Sequence, residues 1–375
     1  MSVKRLVGRM RWFRRAALRL GYALMTAGVR CVRYGLAAPD WRRMEGELGP
    51  SYEDRVTSEI HRFKKVKDVH ELPPIFHYWS NRYIRPKLEQ VLEVSGPDDF
   101  YMKYICRFAE AQPQEIVRIA SLGAGNGDTE LRLARNLIEC GVTNFCFHCL
   151  DLNPAMLGRG AEMAKQKGLA DRMQFEEADL SKWKPERPFP VVIANHVLHH
   201  IVPLEEVFEN VRQAIGKDGY FLSCDVIGRN GHLRWPEALA LVLDAWRTMP
   251  DRYKYNHMLS RHEELYENWD CSSEGFEGIR AQDILPLLVK NFHFDGFVAF
   301  GNLPDVFVSR TFGHNFDAAN PEDTTFIDRI ATLNDRLIDQ GSLKPTEMVA
   351  AMRREPCASP RFYKHWTPEF CVRQP

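Results

Sequence analysis

The sequence predicts an α/β fold: a mostly parallel, seven-stranded sheet with flanking helices, preceded by a helical arm and interrupted after strand five by a helical or loop insertion. Three observations carry this. From residue 116 onward, strand-like apolar runs alternate with helix-like runs. A glycine turn, Gly123-Ala124-Gly125-Asn126-Gly127, stands between the first strand and the first helix of that series. The second strand-like run ends on a carboxylate, Asp151. Strand, glycine turn, helix and acid-terminated strand form the front half of a nucleotide-binding βαβ unit.

The length of 375 residues allows a large core, and 45% hydrophobic with 27% charged residues is ordinary for a globular protein. The formal net charge is zero, so no nucleic-acid partner is expected. That zero hides an asymmetry. Residues 1–39 carry nine Lys or Arg and no acid, so the remainder carries a net charge of −9. Nine cysteines scattered along the chain do not form a disulfide scaffold. Cys146 and Cys149 fall on a predicted strand, where positions three apart face opposite sides, so they read as core thiols and not as ligands. No stretch reaches the roughly 20 apolar residues of a membrane span.

Residues 1–39 form the basic arm. Val3, Leu6, Val7, Met10, Phe13, Ala17, Leu20 and Leu24 recur at helical spacing with arginines between them. Such a helix suits peripheral contact with an anionic membrane surface by a cytoplasmic protein. A helix docked on the acidic body or on a partner, or a transit segment, fits the same pattern. Residues 40–112 read as a helical cap or lid. It includes the aromatic-rich run Phe76–Pro86, which fits either a lid over a substrate or a helix packing on the sheet. Residues 113–310 read as the core. Its strands are Ile116–Leu122, Phe145–Leu150, Met173–Glu176, Pro190–Ala194 and Gly219–Asp225. Helices are expected from Asp128 to Cys140, Pro154 to Lys167, Leu204 to Ile215 and Ala281 to Asn291. Residues 228–278 are the insertion, with little periodicity. Phe294–Gly301 and Asp305–Ser309 are expected to pair antiparallel as the last two strands. Residues 311–375 read as an extension of loops, with helices near 322–339 and 345–353.

The glycine turn suggests a ligand. A dinucleotide turn leaves the helix N-terminus free for a pyrophosphate. Here Asp128 occupies that end, which favours a cationic ligand such as S-adenosylmethionine over a pyrophosphate or a nicotinamide dinucleotide. Gly123-Ala124-Gly125-Asn126-Gly127 resembles the first motif of class I S-adenosylmethionine-dependent methyltransferases, a Rossmann-like family, here of the small-molecule type. Asp151-Leu152 resembles the acid and neighbour that end their second strand and hold the ribose hydroxyls. Ala178-Asp179-Leu180 resembles the segment that flanks the adenine. Asn195-His196-Val197-Leu198-His199-His200 resembles the motif beside the methionine end, and Lys217-Asp218-Gly219-Tyr220 the turn before strand five. The resemblance covers residues 100–228 well and the last strands more loosely. It implies S-adenosyl-L-methionine as cofactor, held by Gly123, Gly125, Gly127, Asp128, Asp151, Leu152, Asp179, Leu180 and Asn195. One position departs from it: Ser121 stands where the family usually has the acid that receives the methionine ammonium, and Asp128 is a candidate to compensate.

Plainer readings exist for the same residues. Asp151 and Asp179 also suit helix or turn caps. His196, His199 and His200 suggest a metal, but adjacent histidines point apart and the sequence shows no carboxylate beside them, so no metal is expected. His196 is the candidate general base, because it follows Asn195 into the cleft. His232, His257, His262 and Glu274 in the insertion are further candidates, or structural groups. The donors and aromatics of Gly228–Trp235 suit sugars, carboxylates or phosphates. The expected reaction is O-methylation of a hydroxyl on a polar, glycan-type or lipid-linked small molecule. The alternatives are a quinone or lipid-precursor methyltransferase at a membrane, and a non-catalytic, cofactor-binding assembly factor.

Overall fold

In a computed structural model of the chain, residues 50–63, 72–273 and 275–373 are described. The basic arm, the stretch 64–71 and Glu274 lie outside them. Contacts gather Glu53–Arg373 into one unit. Its strands are β1 Val117–Leu122, β2 Phe145–Asp151, β3 Met173–Glu177, β4 Val191–Asn195, β5 Tyr220–Val226, the short pair β6 Tyr255–Asn256 and β7 Arg261–His262, then β8 His293–Phe300, β9 Glu347–Arg353 and β10 Arg361–Phe362. All but β6 and β7 form one sheet in the order β10-β8-β9-β5-β4-β1-β2-β3. The run from β5 to β3 is parallel, and β9 is antiparallel to both its neighbours. The sheet therefore has eight strands where seven were expected, the extra one being the two-residue β10.

The helices are α1 Tyr52–Phe63, α2 Pro74–Trp79 leading through a π-turn at Ser80–Ile84 into α3 Arg85–Leu92, α4 Pro97–Ala111, α5 Asp128–Glu139, α6 Pro154–Gln166, α7 Leu204–Ile215, α8 Pro236–Thr248, α9 Ala281–Asn291, α10 Leu303–Val308, α11 Pro321–Asp339 and α12 Pro368–Cys371. Asn153, and not Asp151, caps the helix expected from Pro154. Pro154 opens α6, and Asn153 Oδ1 accepts the Ala155 and Met156 N–H groups at 3.1 and 3.4 Å. Strand alternation divides the core into two layers. Tyr220 and Cys224 of β5 face α4, where Tyr104 packs on Tyr220. Phe221 faces the other way, onto Phe208 of α7 and Phe292 after α9. Asp225 shares the Phe221 face, and Val226 shares the Cys224 face.

Two expectations are corrected. Asp305–Ser309 is not a strand. Pro304 and the Asn302–Asp305 cap, in which Asp305 Oδ2 accepts the Asn302 N–H at 2.9 Å, turn it into α10. The antiparallel partner of β8 is instead β9, read from sequence as a helix near 345–353. Met348 to Met352 are buried without a break. A strand between two others, covered on both faces, shows no alternation, and its Ala and Met residues favour helix intrinsically. The C-terminal segment thus contributes β9 and β10 to the sheet. The insertion also holds a full helix, α8, with Ala238, Val242 and Trp246 buried at four-residue spacing.

The aromatic-rich run packs as structure. Asp328 of α11 accepts hydrogen bonds from Tyr78 at 3.0 Å and Tyr83 at 2.9 Å, and Trp79 stands edge-on to Phe300. Replacing Asp328 by Ala strands two hydroxyls and is expected to lower stability by about 1–3 kcal/mol in denaturant titration, with cofactor affinity unchanged. Unchanged stability with impaired turnover would instead mark the run as a substrate lid.

Candidate active site

The carboxyl ends of β1, β2 and β4 bring the predicted cofactor residues together. Gly123, Gly125 and Gly127 all have positive φ, 63°, 56° and 71°. At Gly123 the reason is also steric: a Cβ there would lie 2.3 Å from the Val197 side chain, so the segment after β4 closes onto the glycine turn. Asp151 ends β2. Its Oδ2 accepts the Gly125 N–H and its Oδ1 the Asn153 N–H, each at 2.8 Å. Burial raises the Asp151 carboxyl against these two donors. Each oxygen takes only one backbone donor and keeps acceptor capacity for a diol. Leu152 is half-buried beside it. Asp179 forms a turn cap, with Oδ1 accepting Ser181 N–H at 3.0 Å, and pairs with Lys182 at 3.1 Å. Leu180 packs against the core. Asn195 ends β4 and accepts the Tyr101 hydroxyl at 3.1 Å.

The structure also answers the Ser121 departure. The Ser121 hydroxyl donates to Glu130 Oε1 of α5 at 2.6 Å, and both residues are buried. The carboxylate missing from β1 arrives from the helix nine residues later. Asp128, the expected substitute, is half-buried and accepts a 3.4 Å contact from Asn126. Burial raises the Glu130 carboxyl, as expected for an acid whose side-chain partner is a neutral hydroxyl. A diol acceptor at Asp151 and a cation acceptor at Glu130 fit the two ends of S-adenosylmethionine. A glutamate on the first turn of the helix, nine residues after a serine, was the available signal.

The second half of the site lies after β4 and β5. His196, the predicted base, has a φ of 52° and an exposed side chain. The buried imidazole is that of His199, whose ring centre lies 6.4 Å from that of His196. His199 Nδ1 meets Asp225 Oδ1 at 2.6 Å, and its Nε2 lies 3.4 Å from Glu277 Oε1. His232 Nε2 meets the same Glu277 oxygen at 2.7 Å. His200 Nδ1 lies 2.8 Å from Glu59 of α1. Among the lid candidates it is therefore α1 that spans this edge: Glu59 reaches His200, the Ile60 carbonyl accepts from Asn153, and Arg55 donates to the Ser272 carbonyl. His257 bonds Asn315, His262 is exposed, and neither joins the cluster.

The expectation of no metal rested on a missing carboxylate, and Glu277 supplies it. One ligand atom each from His199, His232 and Glu277 falls within 4.8 Å of the others. In this arrangement the groups pair with one another. Burial opposes charge on His199, but Asp225 and Glu277 outweigh it and raise the imidazole to about 10. Burial likewise opposes the Glu277 and Asp225 anions, and the histidines and N–H donors outweigh it, so both lie below the ordinary range. His232 is lowered, by burial first. Asp225 and Glu277 thus favour the protonated form of His199, and Asp225 fixes its ring.

Residues 120–221 match the family described as "Methyltransferase domain". The chain thus carries a methyltransferase domain over residues 120–221. Curated relatives include the non-reducing polyketide synthase subA of Metarhizium robertsii, 26% identical over 145 residues, or 37% of this chain and 6% of that one. The 5-methylorsellinic acid synthase of Aspergillus terreus is 26% identical over 160 residues, 42% of this chain and 6% of that one. The chain therefore spans a small fraction of the length of these relatives. Among solved structures, the O-methyltransferase from a trans-AT polyketide synthase multienzyme of Brevibacillus brevis, in complex with S-adenosyl-L-homocysteine, is 13% identical, covering 81% of this chain and 88% of that one with a TM-score of 0.42. Among the described residues, no helix is long and apolar enough to cross a membrane.

Glu130→Gln is expected to weaken S-adenosylhomocysteine binding by about tenfold to a hundredfold in calorimetry, as for loss of a charged hydrogen bond. Methylthioadenosine, which lacks the amino acid, should bind unchanged; equal losses for both would remove Glu130 from the ammonium site. The charged His199 also makes stability depend on pH. Its value rises from an ordinary 6.5 to about 10 on folding, so its contribution is complete below 6.5 and is lost as pH rises through about 10. The melting temperature should fall over that interval more steeply in the wild type than in His199→Asn.

Proposed function

We propose that the domain methylates a small molecule at an acidic hydroxyl, phenolic or enolic, whose oxygen is held as an anion by the His199 imidazolium. The observation that supports this is the buried His199–Asp225 pair at the end of β5. The sequence suggested a hydroxyl on a polar or glycan-type molecule. The charge on His199 narrows the choice of hydroxyl. A phenol or enol is far more acidic than an aliphatic hydroxyl, so its anion forms at lower cost beside a His199 whose protonated form Asp225 and Glu277 favour. An aliphatic sugar hydroxyl is much less acidic and forms that ion pair poorly.

When bound, S-adenosylmethionine supplies the methyl group as an electrophilic carbon on a positively charged sulfur. The protein's own work is positioning and charge. Asp225 fixes the His199 ring through Nδ1, which leaves Nε2–H as the group that meets the developing anion. Its contact with Glu277, 3.4 Å, is longer than a good hydrogen bond, so the proton remains available to a ligand. Helix α1 and the insertion cover the edge and limit water.

A second reading is favoured by the names of the relatives. One relative is called a non-reducing polyketide synthase and another a 5-methylorsellinic acid synthase, and a carbon flanked by carbonyls gives an enolate that the same imidazolium can hold. Radiolabelled cofactor offered with phenols, enols and β-dicarbonyl compounds tests both readings. Label should enter one of these classes, His199→Asn should lose about a hundredfold to a thousandfold, and a chelator should change nothing. Label confined to protein or nucleic acid, or near-normal rates in His199→Asn, would overturn the proposal; dependence on a divalent ion would reassign the His199–His232–Glu277 cluster as a metal site.

A further inference from the structure

Within that reading, we infer that Glu347 is the group that takes the acceptor's proton, on the opposite face of the β5 edge from His199. Its place follows from the sheet. β9 runs antiparallel between β5 and β8, so its first residue falls at the edge where the parallel strands end, paired with Val226 on one side and Phe300 on the other. Cross-strand partners share a face. Glu347 therefore lies on the Val226 and Cys224 face, while Asp225, with His199, lies on the other. Cys224 pairs with Asn195 across β4 and β5 and is within electrostatic reach of Glu347. Tyr101 on the same face donates to Asn195. Glu347 thus lies on the same face as Asn195, two strands away across β5, at the edge where the methionine end is expected.

The other carboxylates at this edge are satisfied. Asp225 accepts from the Val197, Leu198 and Val226 N–H groups and from His199. Asp305 Oδ2 accepts from Arg234 at 3.2 Å, Asn302 N–H at 2.9 Å and Thr346 at 2.5 Å. Among the described residues, Glu347 has no hydrogen-bond or ion-pair partner, and it is half-buried. Room for it is made by Gly301, with φ at 79°, where a Cβ would lie 3.1 Å from Glu347 Cγ. The charged groups around it are Asp305 of α10, Asp225 of β5, His199 after β4 and Arg234 after β5. Burial first, then Asp305 and Asp225, raise its carboxyl to about 8, against His199 and Arg234. A base works best with a value near the operating pH. His199, already protonated, cannot accept a proton there; Glu347 can.

In the step, the acceptor's O–H or C–H proton passes to a Glu347 oxygen. The electron pair left on the acceptor closes on the methyl carbon as the carbon–sulfur bond breaks, and that bond's electrons stay on sulfur as a neutral thioether. The Glu347 proton then leaves to solvent.

The test is the pH profile of kcat/KM for the full chain with an acceptor found by the label screen. The wild type should rise through a limb centred near 8. Glu347→Gln should lose about a hundredfold or more and lose that limb, while binding S-adenosylhomocysteine normally. Glu347→Asp should keep a limb at a reduced rate. A Gln variant within threefold of wild type, or one that retains the limb, would overturn the assignment. A limb abolished only by His199→Asn would move the base to His199 and leave the proposed reaction standing. Carbon-13 glutamate resonances give a reading that needs no acceptor: one carboxyl should titrate near 8 and vanish in Glu347→Gln, and its titration near the ordinary value would sink the inference.

Discussion

The Asp225 carboxylate is the interaction on which the rest of the site depends. It is fully buried at the end of β5. One oxygen accepts the Val197 and Leu198 N–H groups at 2.9 and 2.8 Å, and the other meets His199 Nδ1 at 2.6 Å. A buried anion with this many donors is stable only while all are in place. The carboxylate therefore fixes the path of the chain after β4, and with it two separate features. Val197 is pressed against Gly123, which closes the cofactor turn. His199 is held charged and oriented at the edge. The glycine turn and the proposed acceptor edge share one anchor.

The strand order supplies the other half. Without β9, β5 would border β8 and the edge would carry no unpaired carboxylate on the α4 face. Inserting an antiparallel strand from the C-terminal segment sets Glu347 among the ends of the parallel strands, next to Asp305, Arg234 and Thr346. The chain thus places a fixed positive group on one face of β5 and an unpartnered acid on the other. Methyl transfer to an acidic oxygen needs both a stabilised anion and a destination for the proton.

The cofactor half of the site was legible because it depends on local sequence. Glycines at alternate positions, an acid ending β2 and Asn195 ending β4 occur within single connections, where spacing and placement go together. The acceptor half depends on contacts between distant segments. Asp225 reads in sequence as the last residue of a buried strand, and nothing local announces that it reaches back 26 residues to His199. Glu277 and His232 meet only because Gly231 and Gly278 form a backbone bridge, the Gly231 N–H donating to the Gly278 carbonyl at 2.8 Å. Glu347 opens a run of Ala and Met that favours a helix in isolation and becomes a strand only because both faces are covered. His196 was preferred over His199 by position in the motif; the structure leaves His196 exposed and buries His199 between Asp225 and Glu277.

The central claim is that Asp225 and Glu277 hold His199 as an imidazolium at the edge of the sheet. Nitrogen-15 spectroscopy of the histidine rings in the S-adenosylhomocysteine complex tests it most directly, with His199→Asn providing the assignment. Both His199 nitrogens should carry protons from neutral pH until about 10. A ring with one unprotonated nitrogen at pH 7 would contradict the account, because the edge would then hold a neutral imidazole with no fixed charge to receive an anion.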